Sequence, residues 1–256
     1  MTEKAEYKKC EICGQPMQKS ITIRNVDMLV PVLCNCQMHE RKLEEEKRLE
    51  QERHARICRL REQGLPDIAL RSATFSSVPA YNPKEKEIAR KYTTNFPKLR
   101  ESGTGLLIWG DIGTGKTYLA ACIANELIDN EYPVLMTSVS RIMNGMTGLF
   151  SESRNNYLDG LNKYDLITID DLGIERNTEY SLEQMYMVID SRYRCGKPMI
   201  VTTNLTPEEM QSTHDYAHRR IYDRILERCV PLKVNNMNIR QQNADRIFAE
   251  TKAIIA

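Results

Sequence analysis

An α/β fold is what this sequence predicts: a five-stranded, mostly parallel sheet with helices on both faces, preceded by a small cysteine-bearing module and a charged helix. Three observations predict it. Short β-rich runs, "LLIW", "VLMTSV", "LITID", "MIVTT" and "VPLKV", alternate with helical segments, as in a sheet covered on both sides. The first run opens onto a glycine-rich turn, "GDIGTGKT", and then a helix. The third runs straight into two aspartates.

Bulk composition narrows the function classes. Charged residues make up 28% of the chain and the formal net charge is +1, so contact with nucleic acid must rest on local patches. No stretch of about 18 apolar residues occurs, so no membrane span is expected. The opening "MTEKAEYKKC" lacks the apolar core of a secretory signal. Eight cysteines without such a signal are expected to stay reduced, and the expected location is the cytoplasm.

Residues 1–38 carry two close cysteine pairs, "CEIC" (Cys10, Cys13) and "CNC" (Cys34, Cys36), with 20 residues between them. Thiolates at such spacing suit tetrahedral Zn²⁺, and Gly14 permits the tight turn of the first knuckle. C-x-C is the less usual pair, so His39 is an alternative fourth ligand. A fold of under about 40 residues rarely stands without a metal or staple, which makes the zinc structural. Such a module suits protein–protein contact, with DNA binding as the alternative. Cys58, Cys122, Cys195 and Cys229 stand alone and read as packed or incidental thiols.

Residues 39–64 are mostly charged and rich in helix formers. Glu44 with Arg48 and Glu52 with Arg56 have the spacing of helical ion pairs. Leu43, Leu49, Ile57 and Leu60 are too sparse for a coiled-coil seam, so a connecting helix ending at "GLPD" is expected. From residue 65 to 256 the pattern is that of one α/β domain. Ile88, Tyr92 and Phe96 recur as on one helical face.

The turn Gly110–Thr117 meets the pattern G-x-x-x-x-G-K-[ST]. Glycines let successive N–H groups point into one concavity, and the following helix adds its positive end. Gly110, Asp111, Ile112, Gly113, Thr114, Gly115, Lys116, Thr117 and Tyr118 are the expected nucleotide cradle. Lys116 would reach the β- and γ-phosphates, and Thr117 would ligate Mg²⁺. The apolar strand "LITI" forces Asp170 and Asp171 to the carboxyl edge of the sheet. Asp170 is the expected magnesium carboxylate, direct or through water, and Asp171 is placed to polarise the attacking water. Asn204, after "MIVTT", is expected to orient water beside the γ-phosphate. Arg220, Arg224 and Arg228 share one face of the helix "HRRIYDRILERC", while Ile221 and Ile225 mark its packed face. An arginine from that face would stabilise transition-state charge on a neighbouring subunit's nucleotide.

Together these motifs resemble the AAA+ ATPases, and within them the bacterial helicase loader family of DnaC and DnaI, with its transposition relative IstB. The resemblance covers roughly Ser72 to Arg240, and "LITIDDLGIERNTEYSLEQMYMVIDSRYRCGKPMIVTTNL" is its most specific part. It implies Walker A at Lys116 and Thr117, Walker B at Asp170 and Asp171, and sensor 1 at Asn204. It puts an arginine finger at Arg224, with Arg220 as close competitor. It also implies that Phe75 contacts adenine, that Arg240 touches nucleotide, and that the segment containing Arg141 engages single-stranded DNA. Only 52 residues follow Asn204, so the helical lid domain of many AAA+ proteins is expected to be absent. The implied function is an ATPase, weak and stimulated by DNA or a partner, that delivers a replicative hexameric helicase. It would self-associate through ATP-bridged subunits. The DnaI-type loaders resemble the zinc arrangement; DnaC and IstB lack these cysteines. An IstB-like helper binding duplex DNA is the alternative, and a small-molecule kinase would need a basic lid and acceptor pocket that the sequence does not display.

Overall fold

The computed structural model describes residues 8–23, 26–77, 83–173, 178–235 and 238–255. The chain divides into two compact units, Met1–Arg56 and Ile57–Ala256.

In the first unit, β1 (Gln18–Ile23) and β2 (Val26–Pro31) form an antiparallel hairpin with Ile21 opposite Met28 and Ile23 opposite Val26. Side chains alternate across a strand, so Ile21, Ile23, Val26, Met28 and Val30 share one face. That face is largely exposed, with Val26 at 59%. Lys9 bridges to Pro16 ahead of the hairpin.

Helix α1 (Asn35–Gly64) begins four residues before the composition shift at residue 39, so Cys36 sits in its first turn. On its surface Arg48 pairs with Glu45 and, at 3.9 Å, with Glu52 rather than with Glu44. Its last two turns belong to the second unit. There Ile57 joins the core, and Arg61 donates to Asn125 Oδ1 at 3.1 Å and pairs with Asp129. Gly64 ends it in close contact: a Cβ there would lie 2.0 Å from the Val134 carbonyl oxygen.

The second unit is a sheet of five parallel strands in the order β4-β5-β6-β3-β7. They are β3 (Gly105–Trp109), β4 (Val134–Ser138), β5 (Leu166–Leu172), β6 (Met199–Thr203) and β7 (Cys229–Lys233), each over one of the predicted runs. One face is covered by α2 (Pro83–Thr94), α3 (Phe96–Ser102) and α4 (Lys116–Asp129), with Phe96, Leu119, Ile123 and Leu127 fully buried. The other is covered by α5 (Val139–Met146), α6 (Ser151–Asn162), α7 (Glu179–Arg194), α8 (Pro207–Gln211) and α9 (Tyr216–Arg228). Helix α10 (Ile239–Ile255) follows β7.

The expected continuous face Ile88–Tyr92–Phe96 is interrupted. α2 stops at Thr94 and α3 restarts at Phe96 with Pro97 in its first turn, where a missing N–H costs nothing. Tyr92 and Phe96 are buried, but Ala89 takes the core position beside them and Ile88 is 46% exposed.

Two buried polar side chains tie this unit together. Asn125 donates to the carbonyls of Leu70, Ala73 and Ala121, fastening the segment after α1 to α4. Arg192, 1% exposed, donates once each to the carbonyls of Tyr164 and Asp165 and twice to that of Pro198, joining the entries of β5 and β6. Burial of a charge costs several kcal/mol unless it is fully hydrogen-bonded, and these four bonds meet that condition.

Candidate functional site

Because β3 sits between β6 and β7, the loop after β3 opens at the point where strand order reverses, the usual crevice of open α/β sheets. Three glycines of that loop have left-handed φ: 146° at Gly110, 80° at Gly113 and 94° at Gly115. Gly115 caps α4, so the helix N-terminus points from the loop. The closing segment lies against the loop: Ile239 N–H donates to Gly113 O, and a Cβ on Gly113 would strike Asn238 Oδ1 at 2.2 Å.

Lys116 opens α4 and is 5% exposed. Its ammonium donates to Gly110 O at 2.9 Å, Asp111 O at 2.8 Å and Asn204 Oδ1 at 2.7 Å. Loss of water lowers its pKa, and the nearby carboxylates of Asp171, Asp170 and Asp111 oppose that shift. Thr114 is tied to the Asp111 carbonyl, Ile112 is exposed, and Tyr118 packs beside the α4 core.

Asp170 lies where β5 runs out of apolar residues. Its Oδ1 accepts from Thr117 Oγ1 at 2.9 Å and from Thr202 Oγ1 at 2.6 Å, and burial raises its pKa. The β5–β6 register shifts between Ile169 and Leu172, and Asp171 holds a φ of 58°, rare for a residue with a side chain. The Asp171 N–H donates to Thr202 Oγ1 at 2.9 Å. Thr202, on β6, thus buttresses both aspartates. Sequence reading missed it because a threonine in "MIVTT" looks like any β-branched strand residue.

The fold therefore brings Lys116 to Asn204 and Thr117 to Asp170. Chemically, such a set of loop amides, one ammonium, one hydroxyl–carboxylate pair and one amide is able to hold a metal-bound polyphosphate. Beside Thr117 and Asp170 a cavity of about 180 Å³ is lined by Leu65, Thr137, Ser138 and Arg141 among others. Phe75 is 3% exposed with the Arg90 guanidinium 5.5 Å above its ring. Phe150, at the N-cap of α6, is 86% exposed.

On α9, Arg220, Arg224 and Arg228 form a face that packs on tyrosines of α7, while Ile221 and Ile225 are fully buried. Arg224 is bound to Asp190 at 2.7 Å and to the Tyr186 hydroxyl at 2.9 Å.

In the first unit Cys10, Cys13, Cys34 and Cys36 come together, with all four sulfurs within 4.8 Å of one another. Tetrahedral zinc with Zn–S of about 2.3 Å needs sulfurs about 3.8 Å apart, so this set fits the ion with little adjustment. Gly14 turns the first knuckle at φ 69°, its N–H donating to Cys10 O, and Gln37 N–H donates to Cys34 Sγ at 3.5 Å. The Gln15 N–H draws the Cys13 thiol down to about 7, and its hydrogen bond from Cys36 pushes the latter up to about 11. His39 stands outside the cluster.

Comparison with known proteins places these features. A family model described as IstB-like ATP binding protein matches residues 34–246. The replicative helicase loader DnaI of Bacillus subtilis is 26% identical over 184 residues, covering 67% of this chain and 59% of that protein. The replicative helicase loader DnaC of Escherichia coli is 33% identical over 125 residues, covering 48% of this chain and 50% of that protein. The chain thus spans little more than half the length of the curated relatives it matches. A crystal structure of DnaI aligns with a TM-score of 0.57 at 25% identity, over 71% of this chain and 99% of that one.

Proposed function

From the premise that this chain belongs to the family of IstB-like ATP binding proteins, we propose that it is an ATP-dependent loader that delivers a replicative hexameric helicase to DNA. The observation that carries the nucleotide part is the preassembled set Lys116–Asn204 and Thr117–Asp170. The helicase part is supported by the names of the relatives DnaI and DnaC.

In this reading the amides of Gly110–Thr117 and the Lys116 ammonium bind the polyphosphate. Thr117 and Asp170 would hold Mg²⁺, whose chemistry there would be to offset the negative charge of the polyphosphate. Asp171 polarises the attacking water and Asn204 orients it. Lys116 must trade its bonds to Gly110 O, Asp111 O and Asn204 for phosphate oxygens. ATP bridges adjoining copies, and the arginine face of α9 supplies positive charge from the next subunit. Hydrolysis is slow alone and stimulated by DNA or helicase. Single-stranded DNA is the supported nucleic-acid partner: Phe150 offers an exposed ring for base stacking, and Arg141 lies on the neighbouring helix. The zinc-holding unit, residues 1–38, with its helix through residue 64, serves helicase contact, and residues 65–256 serve ATP.

The test is capture of the host replicative helicase by the full chain, with and without ATP, together with calorimetry for ATP and ADP. Nucleotide binding with no association to the helicase would sink the loader reading. One observation favours a second reading: the matching family is described by IstB, so a helper of DNA transposition that binds duplex DNA is the alternative. Preference for duplex over single-stranded DNA in a binding titration selects it.

A further inference from the structure

Where α7 meets α9, arginines and tyrosines alternate in a column. Arg220 Cζ lies 4.0 Å from the Tyr186 ring centre and 5.8 Å from that of Tyr216. The same Tyr186 ring has Arg224 Cζ at 4.7 Å. Farther along, Tyr193 has Arg224 at 5.6 Å and Arg228 at 4.8 Å. A guanidinium on a tyrosine face is attracted by the ring quadrupole, and stacking leaves its in-plane N–H groups available to a second partner.

The two central arginines are held differently. Arg224 has every nitrogen engaged inside the chain. Its Nε donates to Asp190 Oδ1 at 2.8 Å, its Nη1 to the Arg220 carbonyl at 3.1 Å, and its Nη2 to the Tyr186 hydroxyl at 2.9 Å. Asp190 is itself fixed by Arg194 at 2.7 Å. Arg220 is exposed and stacked, and among the described residues its guanidinium has no carboxylate or carbonyl partner. Tyr186 is thus the hub: its hydroxyl is tied to Arg224 and its ring carries Arg220.

We propose that Tyr186 and Asp190 are positioning residues for phosphate contact across a subunit boundary. Asp190 fixes Arg224, Arg224 fixes the Tyr186 hydroxyl, and the Tyr186 ring holds Arg220 with its donors uncommitted. Arg220 then reaches the γ-phosphoryl oxygens of an adjoining copy's ATP, while Arg224 stays engaged within its own chain as the support of that platform. A free arginine carries about 2 kcal/mol of rotamer entropy, and this column removes part of that search before the copies meet. Neither Tyr186 nor Asp190 touches the nucleotide. The proposal rests on the reading that ATP lies between subunits.

Subunit mixing tests it. The acceptor carries an intact phosphate loop with Arg220→Ala and Arg224→Ala; the donor carries Lys116→Ala and supplies arginines only. ATPase should return when the two are mixed. Adding Tyr186→Ala or Asp190→Asn to the donor should cut the restored kcat by about 10- to 100-fold, the scale of a misplaced catalytic group, with the acceptor's KM for ATP unchanged. Tyr186→Phe keeps the ring and should retain more than Tyr186→Ala. Thermal melts of each donor control for folding, and a donor that unfolds is replaced by Tyr186→Phe with Asp190→Asn. Equal rescue by the parent and all variant donors overturns the positioning roles alone. No rescue by the parent donor removes the intersubunit site, and this proposal with it.

Discussion

The two units of this chain solve the same problem of stability by opposite means. In residues 57–256 two apolar clusters fill both sides of a five-stranded sheet, and residues such as Leu107, Ile108, Leu119 and Ile142 are fully buried. Among the described residues before 57, the buried side chains are Cys10 and Cys34. A two-stranded hairpin with an exposed apolar face is marginal on its own. With zinc bound as proposed, the four thiols would be to the first unit what the sheet core is to the second: one multivalent contact in place of many weak ones.

The largest effect that could break this comparison is loss of the metal site. Cys34→Ser should abolish zinc uptake, read by elemental analysis, and erase hydrogen-exchange protection in β1 and β2. Zinc binding of this kind is worth about 10–16 kcal/mol in small domains, whereas the melting of the second unit should not move. Retained protection in the hairpin would show that the thiols are not its support. The next effect belongs to the second unit. Gly64→Ala puts a methyl group against the Val134 carbonyl, where backbone must shift, and should cost about 3 kcal/mol by denaturant unfolding. The zinc content should stay unchanged.

A smaller change separates stability from chemistry within the second unit. Lys116→Ala should lower turnover about 100-fold, equivalent to about 2.7 kcal/mol, and abolish detectable ATP affinity by calorimetry. Smallest is Asp170→Asn. Burial raises the Asp170 pKa, so the folded chain holds that proton more tightly than the unfolded chain does. Its contribution to stability is therefore greatest at acid pH and falls as pH rises through the carboxylate range. The amide removes that slope and should raise stability at neutral pH without nucleotide by about 1 kcal/mol, while turnover drops. A melt that is lower than the parent's at neutral pH would contradict the buried-charge argument.

Much of the second unit was legible in the sequence because its signals are local. "LLIW" followed by "GDIGTGKT" fixes strand, turn and helix within a few residues, and "LITIDD" marks the strand end where apolar residues give way to charge. The same logic put Asn204 at the tip of a strand, but its bond to Lys116, the first residue of α4, was not foreseen. What escaped was non-local or weakly patterned. The β1–β2 hairpin alternates poorly in "QKSITI" and its apolar face is exposed, so polarity gave no contrast. Thr202, Asn238 and the Tyr186–Arg220 stack depend on partners far along the chain. Ala89 rather than Ile88 is buried because the core face of α2 runs through Glu85, Ala89, Tyr92 and Thr93, to one side of Ile88.

The ammonium of Lys116 is already saturated by three oxygens before any ligand arrives. Under the proposed function, seating a triphosphate would therefore be an exchange of partners that frees the Asn204 amide just beyond β6 as the loop fills. Arrival and departure of the nucleotide would in this way reach the far strand tip as gain and loss of one tether, ahead of any bond cleavage.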